Sequence, residues 1–388
     1  MKKSNLIALI VITISIVGFI SCDDSTTIID DNNPDPVAAC MEFSAMDNLL
    51  TELPRKVFFI NNNEGWVRGY NANFEAIFLY TNDGGENWVE MTTGLDFIEA
   101  DAAYTQFYFN NSTDGYLNTG YPETINYTTN KGSSWQEIDF GNLNLRNFYG
   151  IASNSSQTIV AAKTSVVGSD SFDRLYFISN TTHQVVNDLL IPFDLHNARD
   201  IHFTDAGVIN ISHVYFSDTD EVKFAHSDNF GVNWTFTTID MNSIHPYENS
   251  HDMVFPTDNV GYFTGYDSTQ GTEQGTYIFK TTNGGASWNK IEIETHSGLN
   301  LSQLAFADEN NGLALGHLAG DLGLYKTTNG GNNWELINCF NDVEGIITLT
   351  SPISLTYPSV NKGFVLSSHN VNGDYEEFQP RLYKYTGQ

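Results

Sequence analysis

Arginine is scarce in this chain and unevenly placed. Of six, Arg55, Arg146 and Arg199 stand in "LPRKVFF", "NLRNFYG" and "NARDIHF", each just before a short apolar run. Arg174 and Arg381 each precede a further run, "LYFIS" and "LYKY", and only Arg68 falls outside this pattern. A guanidinium is planar and forks toward carboxylate or phosphate with two parallel hydrogen bonds. Arginines at equivalent points of repeated segments can therefore build one anion-recognising face, joined by His251 and its neighbours His245, Glu248 and Asp252 in "HPYENSHD", and by His196 and Asp200. Pairing with local acids such as Asp200 and Glu52 is the alternative. No nucleophile with a base, and no carboxylate pair suited to glycoside cleavage, can be picked out, so no catalytic residue is assigned. The acidic run "SDTDE" (Ser217 to Glu221) lacks the ligand spacing of a calcium loop, and neither metal nor cofactor is expected.

These residues are positioned by a repeat. "LYTNDGGENW", "NYTTNKGSSW", "FAHSDNFGVNW", "IFKTTNGGASW" and "LYKTTNGGNNW" align without gaps over their last eight residues. Each has Ser or Thr first (Thr81, Thr128, Ser227, Thr281, Thr327) and Asp or Asn third (Asp83, Asn130, Asn229, Asn283, Asn329). Each has Gly fifth (Gly85, Gly132, Gly231, Gly285, Gly331) and Trp eighth (Trp88, Trp135, Trp234, Trp288, Trp334). Five of the six tryptophans occupy this one position, which excludes chance. The chemistry is that of a turn. A side-chain carbonyl accepts bonds from backbone N–H groups, Gly supplies a positive φ, and Trp brings a large apolar ring.

The pattern resembles the Asp-box, or bacterial neuraminidase repeat. The resemblance implies a β-propeller in which each box is the hairpin turn between the third and fourth strands of a blade, with the Trp packed between blades. A second landmark precedes each box: an apolar run, a polar turn and a second strand opened by Gly, as in "VFFINNNEGWVRG" and "LAFADENNGLALG". Its glycines (Gly65, Gly115, Gly207, Gly261, Gly312, Gly363) recur about every 50 residues, the length of a four-stranded blade. The interval from Gly115 to Gly207 is nearly double, and "NFYGIASNSSQTIVAAK" with "RLYFISNTTHQVV" fills it as a copy without a box. The count is seven blades, all-β. The seventh lacks an outer strand at the C-terminus, and "AACMEFSAM" (Ala38 to Met46) is expected to supply it and close the ring.

Composition agrees with one strand-rich domain of many turns: 388 residues with 31 Gly and 13% aromatics. The formal charge of −30 excludes nucleic acid as a partner, because like charges repel. "MKKSNLIALIVITISIVGFISC" has a basic start and an apolar core too short to span a membrane comfortably, as a signal segment does. Its end, "FISC", resembles a lipobox with Cys22 as the acylated residue; an ordinary secretory signal is the alternative. The organisation expected is a signal peptide over 1–21, an acidic tether over 22–37 and the propeller over 38–388. Acids directly after the cysteine resemble the surface-export signal of Bacteroidota lipoproteins. That implies an outer-membrane lipoprotein at the cell surface, with the periplasmic face as the other possibility. In an oxidising compartment Cys40 and Cys339 can pair or remain separate thiols.

Over roughly Val57 to Tyr385 the blades resemble propellers of the photosystem II stability/assembly-factor type, whose members bind protein partners. Sialidases share the repeat, but their R-I-P sequence and a Tyr–Glu nucleophile pair are not found here. The leading expectation is a non-catalytic module docking a protein of an outer-membrane or surface complex. A glycan-binding lipoprotein is the alternative, and a sialidase-like glycoside hydrolase ranks below both.

Overall fold

The computed structural model describes residues 42–45, 56–70, 76–91, 106–119, 124–141, 143–166, 171–195, 198, 200–216, 221–238, 253–266, 276–291, 299–318, 321–337, 354–370 and 378–387. They form strands and turns, with no helix among the described residues. Seven antiparallel sheets make a seven-bladed β-propeller.

The first strand, β1 (Glu42–Ala45), belongs to the last blade. Blade one is β2 (Lys56–Phe59), β3 (Gly65–Tyr70), β4 (Ala76–Thr81) and β5 (Val89–Met91). Blade two is β6 (Phe107–Phe109), β7 (Gly115–Thr119), β8 (Thr124–Thr128) and β9 (Gln136–Glu137). Blade three is β10 (Leu143–Ser153), β11 (Gln157–Val166), β12 (Ser171–Ser179) and β13 (Val185–Leu190). Blade four is β14 (Ile201–Phe203), β15 (Ile209–Phe216), β16 (Glu221–Ser227) and β17 (Thr235–Thr238). Blade five is β18 (Gly261–Tyr266), β19 (Thr276–Thr281) and β20 (Asn289–Ile291). Blade six is β21 (Asn300–Phe306), β22 (Gly312–Leu318), β23 (Asp321–Thr327) and β24 (Glu335–Ile337). Blade seven is β25 (Ser354–Ser359), β26 (Lys362–Asn370) and β27 (Phe378–Thr386).

Blade five departs from the expected four strands for a chemical reason. Its innermost segment is reduced to one bridge, Val254 with Tyr262. Pro256 follows two residues later and has no N–H to extend the ladder.

The ring closes as the sequence predicts. β1 pairs antiparallel with β27, Glu42 opposite Lys384 through Ala45 opposite Arg381, and is the outer strand of blade seven. Side chains complete the seam with blade one. The Phe59 and Phe364 rings stack at 3.5 Å, Ser359 Oγ donates to Asn62 Oδ1 at 2.7 Å, and buried Lys384 reaches Glu86 at 2.6 Å.

The core lies between blades rather than inside them, because each sheet buries both faces against its neighbours. Val57, Phe59 and Val67 of blade one pack with Phe364, Leu366 and Leu382 of blade seven. The recurring glycines are set by packing within each blade. A Cβ on Gly115 would lie 2.7 Å from the Phe109 ring, and one on Gly312 2.7 Å from Phe306, so the aromatic of the first strand needs a bare backbone beside it. Gly207 differs: it sits in the turn before β15 with φ +81.

Candidate functional site

The five repeated turns share one hydrogen-bond scheme. In blade one, Thr81 Oγ1 donates to Asp83 Oδ1 at 2.8 Å and accepts from Gly85 N at 3.0 Å. Asp83 Oδ1 also accepts from Glu86 N at 3.1 Å and Asn87 N at 3.0 Å. Burial opposes ionisation of Asp83, but the bonds from Asn87, Thr81 and Glu86 hold its carboxyl below the usual range. The other four keep the scheme with a neutral Asn acceptor at Asn130, Asn229, Asn283 and Asn329. The first-position hydroxyl residues Thr81, Thr128, Ser227, Thr281 and Thr327 are all buried. The glycines Gly85, Gly132, Gly231, Gly285 and Gly331 all have positive φ, up to +93 at Gly285.

Each Trp is a wedge against the preceding blade. Trp88 packs on the seam with blade seven, Trp135 on Phe78, Trp234 on the blade-three cluster, Trp288 on Phe224 and Trp334 beside Tyr262 and Ile278. Blade three, which has no such turn, substitutes a histidine. His183 adopts φ +54, stacks on Tyr127 of blade two at 4.2 Å, and its Nδ1 lies 3.1 Å from the Tyr116 hydroxyl. Burial pushes the Tyr116 phenol up to about 12. Within each of the five turns the hydroxyl, the Asp or Asn carbonyl and the glycine N–H are bound to one another.

Of the arginines singled out above, Arg146, Arg174 and Arg381 are described and lie toward the opposite face, which carries the blade-to-blade links. Arg55, Arg199 and His251 lie outside the described residues, as do Cys22, Cys40, Cys339 and most of the "SDTDE" run. These three stand inside strands rather than before them, and they differ. Arg174, in β12, is held by Asp188 of the outer strand β13, so its charge is answered within the blade. Arg381, in β27, stands between Ala45 and Ser367 and is half-buried. Arg146 sits at the end of β10 that projects toward the links, where a register shift interrupts the pairing with β11. Its side chain is exposed, and Nε donates to buried Ser165 Oγ at 2.9 Å. It forms no ion pair among the described residues. It borders an open cleft of about 590 Å³ lined by Ile138, Phe140 and Leu143 together with the acids Glu137 and Asp139. A guanidinium fixed through Nε presents its two terminal nitrogens together, as bidentate recognition of a carboxylate needs.

A second cavity, of about 560 Å³, was not anticipated. It lies against the innermost segments of blades two to five and opens on the turn face. Part of the signal was present: in "FYF" the middle residue alternates with two buried ones, and in "IHF" with partly buried Ile201 and buried Phe203, and this period of two turns Tyr108 and His202 toward the axis. The His202 ring lies flat on Phe255 at 3.9 Å, and burial pushes its imidazole down to about 4. Among the described residues no group of three His, Cys, Asp or Glu side chains is placed to hold a metal.

Comparison with known proteins places this geometry among relatives. Residues 36–155 match the family model described as Photosynthesis system II assembly factor YCF48. No curated protein sequence matches the chain. The structure of YCF48 bound to D1 peptide superposes with a TM-score of 0.55 at 16% identity, over 92% of this chain and 97% of that one. The GH74 xyloglucanase from Xanthomonas campestris gives 0.54 at 12% identity, over 87% and 55%. Polysaccharide lyase Uly1 gives 0.55 at 10% identity, over 94% of both chains. At such identities the likeness is one of fold, and this fold serves peptide binding and carbohydrate chemistry alike.

Proposed function

We propose that the chain is a lipid-anchored, non-catalytic binding propeller at the bacterial cell surface. It docks an extended segment of an outer-membrane protein through the face opposite the repeated turns, which we read as Asp-boxes with a structural role. The observation that carries this reading is Arg146. In a chain of charge −30 it is an exposed guanidinium held by a neutral serine, at the edge of a cleft of mixed polar and apolar lining. A forked cation beside a groove whose wall carries Ile138, Phe140 and Leu143 suits a peptide with apolar side chains and a carboxylate placed at Arg146, away from Glu137 and Asp139 of the same wall. The match of residues 36–155 to the YCF48 family model, and the peptide held by the YCF48 structure, support this class of partner. Arg174 is left out because Asp188 occupies it.

Crosslinking with mass spectrometry on intact cells tests the proposal. Crosslinks should gather on the linking face, name an outer-membrane protein, and fall in Arg146→Gln but not in Arg174→Gln. Crosslinks confined to the turn face, or equal loss in both variants, would sink it. The glycan-binding alternative has the shared fold of the xyloglucanase and the lyase in its favour. A glycan array that lights up with wild type and is unchanged in Arg146→Gln would support it instead.

A further inference from the structure

We propose that the axial cavity on the turn face is a binding site for an alkylammonium group, supplied as a lysine side chain by a protein partner. This goes beyond the docking face above and lies at the other end of the blades. The turns between first and second strands, which form the rim, lie among the described residues. The cavity is lined by Tyr108, Ile151, Ile201 and Phe255, with Asp205 and Asp258 exposed at the rim and no Lys or Arg in its wall.

Three features select a cation. The first is charge. Asp205 and Asp258 have no ion-pair partner among the described residues, and the bonds from Ser155 to Asp205 hold that carboxyl below its usual range. The lysines of the same face are engaged elsewhere: Lys131 by Tyr80 and Glu64, Lys280 and Lys362 over the rings of Tyr262 and Phe364, and Lys384 by Glu86. The second is the aromatic wall. Tyr108, with Phe58 at 5.5 Å, offers an aromatic ring, which attracts an ammonium group where water is partly excluded, and Phe255, stacked under His202, supplies apolar wall. The third is acceptor capacity. Asn110 Oδ1 and His202 Nε2 are buried in this wall without a hydrogen-bond partner. Burial keeps His202 neutral near pH 7, so it does not repel a cation and can accept a bond. An ammonium brings three donors and no acceptor.

The test is an NMR titration of the full chain carrying ¹³C-labelled tyrosine and histidine rings. The probes are capped Gly-Gly-Lys-Gly-Gly, the same peptide acetylated on lysine, and spermidine. The lysine peptide should give saturable shifts of the Tyr108 and His202 ring signals, and the acetylated peptide none. Replacing both rim acids, Asp205→Asn with Asp258→Asn, should weaken binding by about three- to tenfold, since exposed charge pairs are individually modest. Asn at 205 keeps an acceptor for Ser155, and unchanged signals elsewhere will show an intact fold. Equal shifts with the acetylated peptide would overturn the proposal. So would shifts scattered over the acidic turns without saturation at Tyr108, or an unchanged affinity in the double variant. Saturation by spermidine but not by the peptide would overturn the lysine assignment in favour of a free polyamine.

Discussion

Trp334→Ala measures how much of the ring's stability is held by one wedge. Trp334 is fully buried, packs with Tyr262, Ile278, Leu299 and Tyr325, and donates from Nε1 to Gly331 O at 3.0 Å. An aromatic of this size buries about 150–250 Å², which at about 25 cal/mol per Å² is roughly 4–6 kcal/mol of transfer free energy. Truncations of buried aromatics are observed to cost about 3–5 kcal/mol, and the lost hydrogen bond leaves Gly331 O unsatisfied. The expected cost is therefore near the top of that range, about 4–5 kcal/mol. Trp288 is the internal control. It is only partly buried, and its Nε1 has no hydrogen-bond partner, so Trp288→Ala should cost about 3 kcal/mol. Equilibrium urea unfolding of both variants beside the parent reads the difference without needing an absolute stability. A Trp288→Ala cost equal to or above that of Trp334→Ala would refute the reasoning from burial. Loss of partner binding in a variant that remains folded would refute the structural role of the turns.

Deleting residues 38–46 should lower the melting temperature substantially, because β27 would become an exposed edge; a shift of only a degree or two would count against closure by β1. Acid should destabilise the protein partly through His202. Its folded pKa of about 4 lies below the unfolded value near 6.5, so its contribution is present above that value and is lost as pH falls from about 6.5 to about 4. His202→Phe, which keeps the ring on Phe255, should flatten the slope of stability against pH in that window by about 2–3 kcal/mol in total, and an unchanged slope would exclude His202 as its source. Cys22→Ala should move the protein out of the membrane fraction, since acyl chains provide the expected attachment; a variant that stays membrane-bound with normal processing would end the lipoprotein reading.

The fold was legible because its determinants are local and repeated. Thr, Asn or Asp, Gly and Trp at fixed offsets encode a turn whose hydrogen bonds all lie within a few residues, so five copies announced five hairpins. The unpaired third strand at the C-terminus implied an outer strand from the N-terminus, and β1 occupies that place. Blade three was legible as a strand unit, but not the way His183 replaces a tryptophan, because that depends on Tyr116 and Tyr127 of another blade. The arginines show the same boundary. Sequence put Arg146 and Arg174 in one class, and only packing separates them: Asp188 stands across the sheet from one, while the neutral hydroxyl of Ser165 holds the other. The alternation in "FYF" and "IHF" could place Tyr108 and His202 on inner faces, but the axial cavity itself belongs to the tertiary structure. Tyr108, His202 and Phe255 are far apart in the chain and share a wall because ring closure brings four blades to one axis. Turn chemistry acts between neighbours in sequence and can be read there, whereas pairing and enclosure arise between residues that only the closed ring brings within reach.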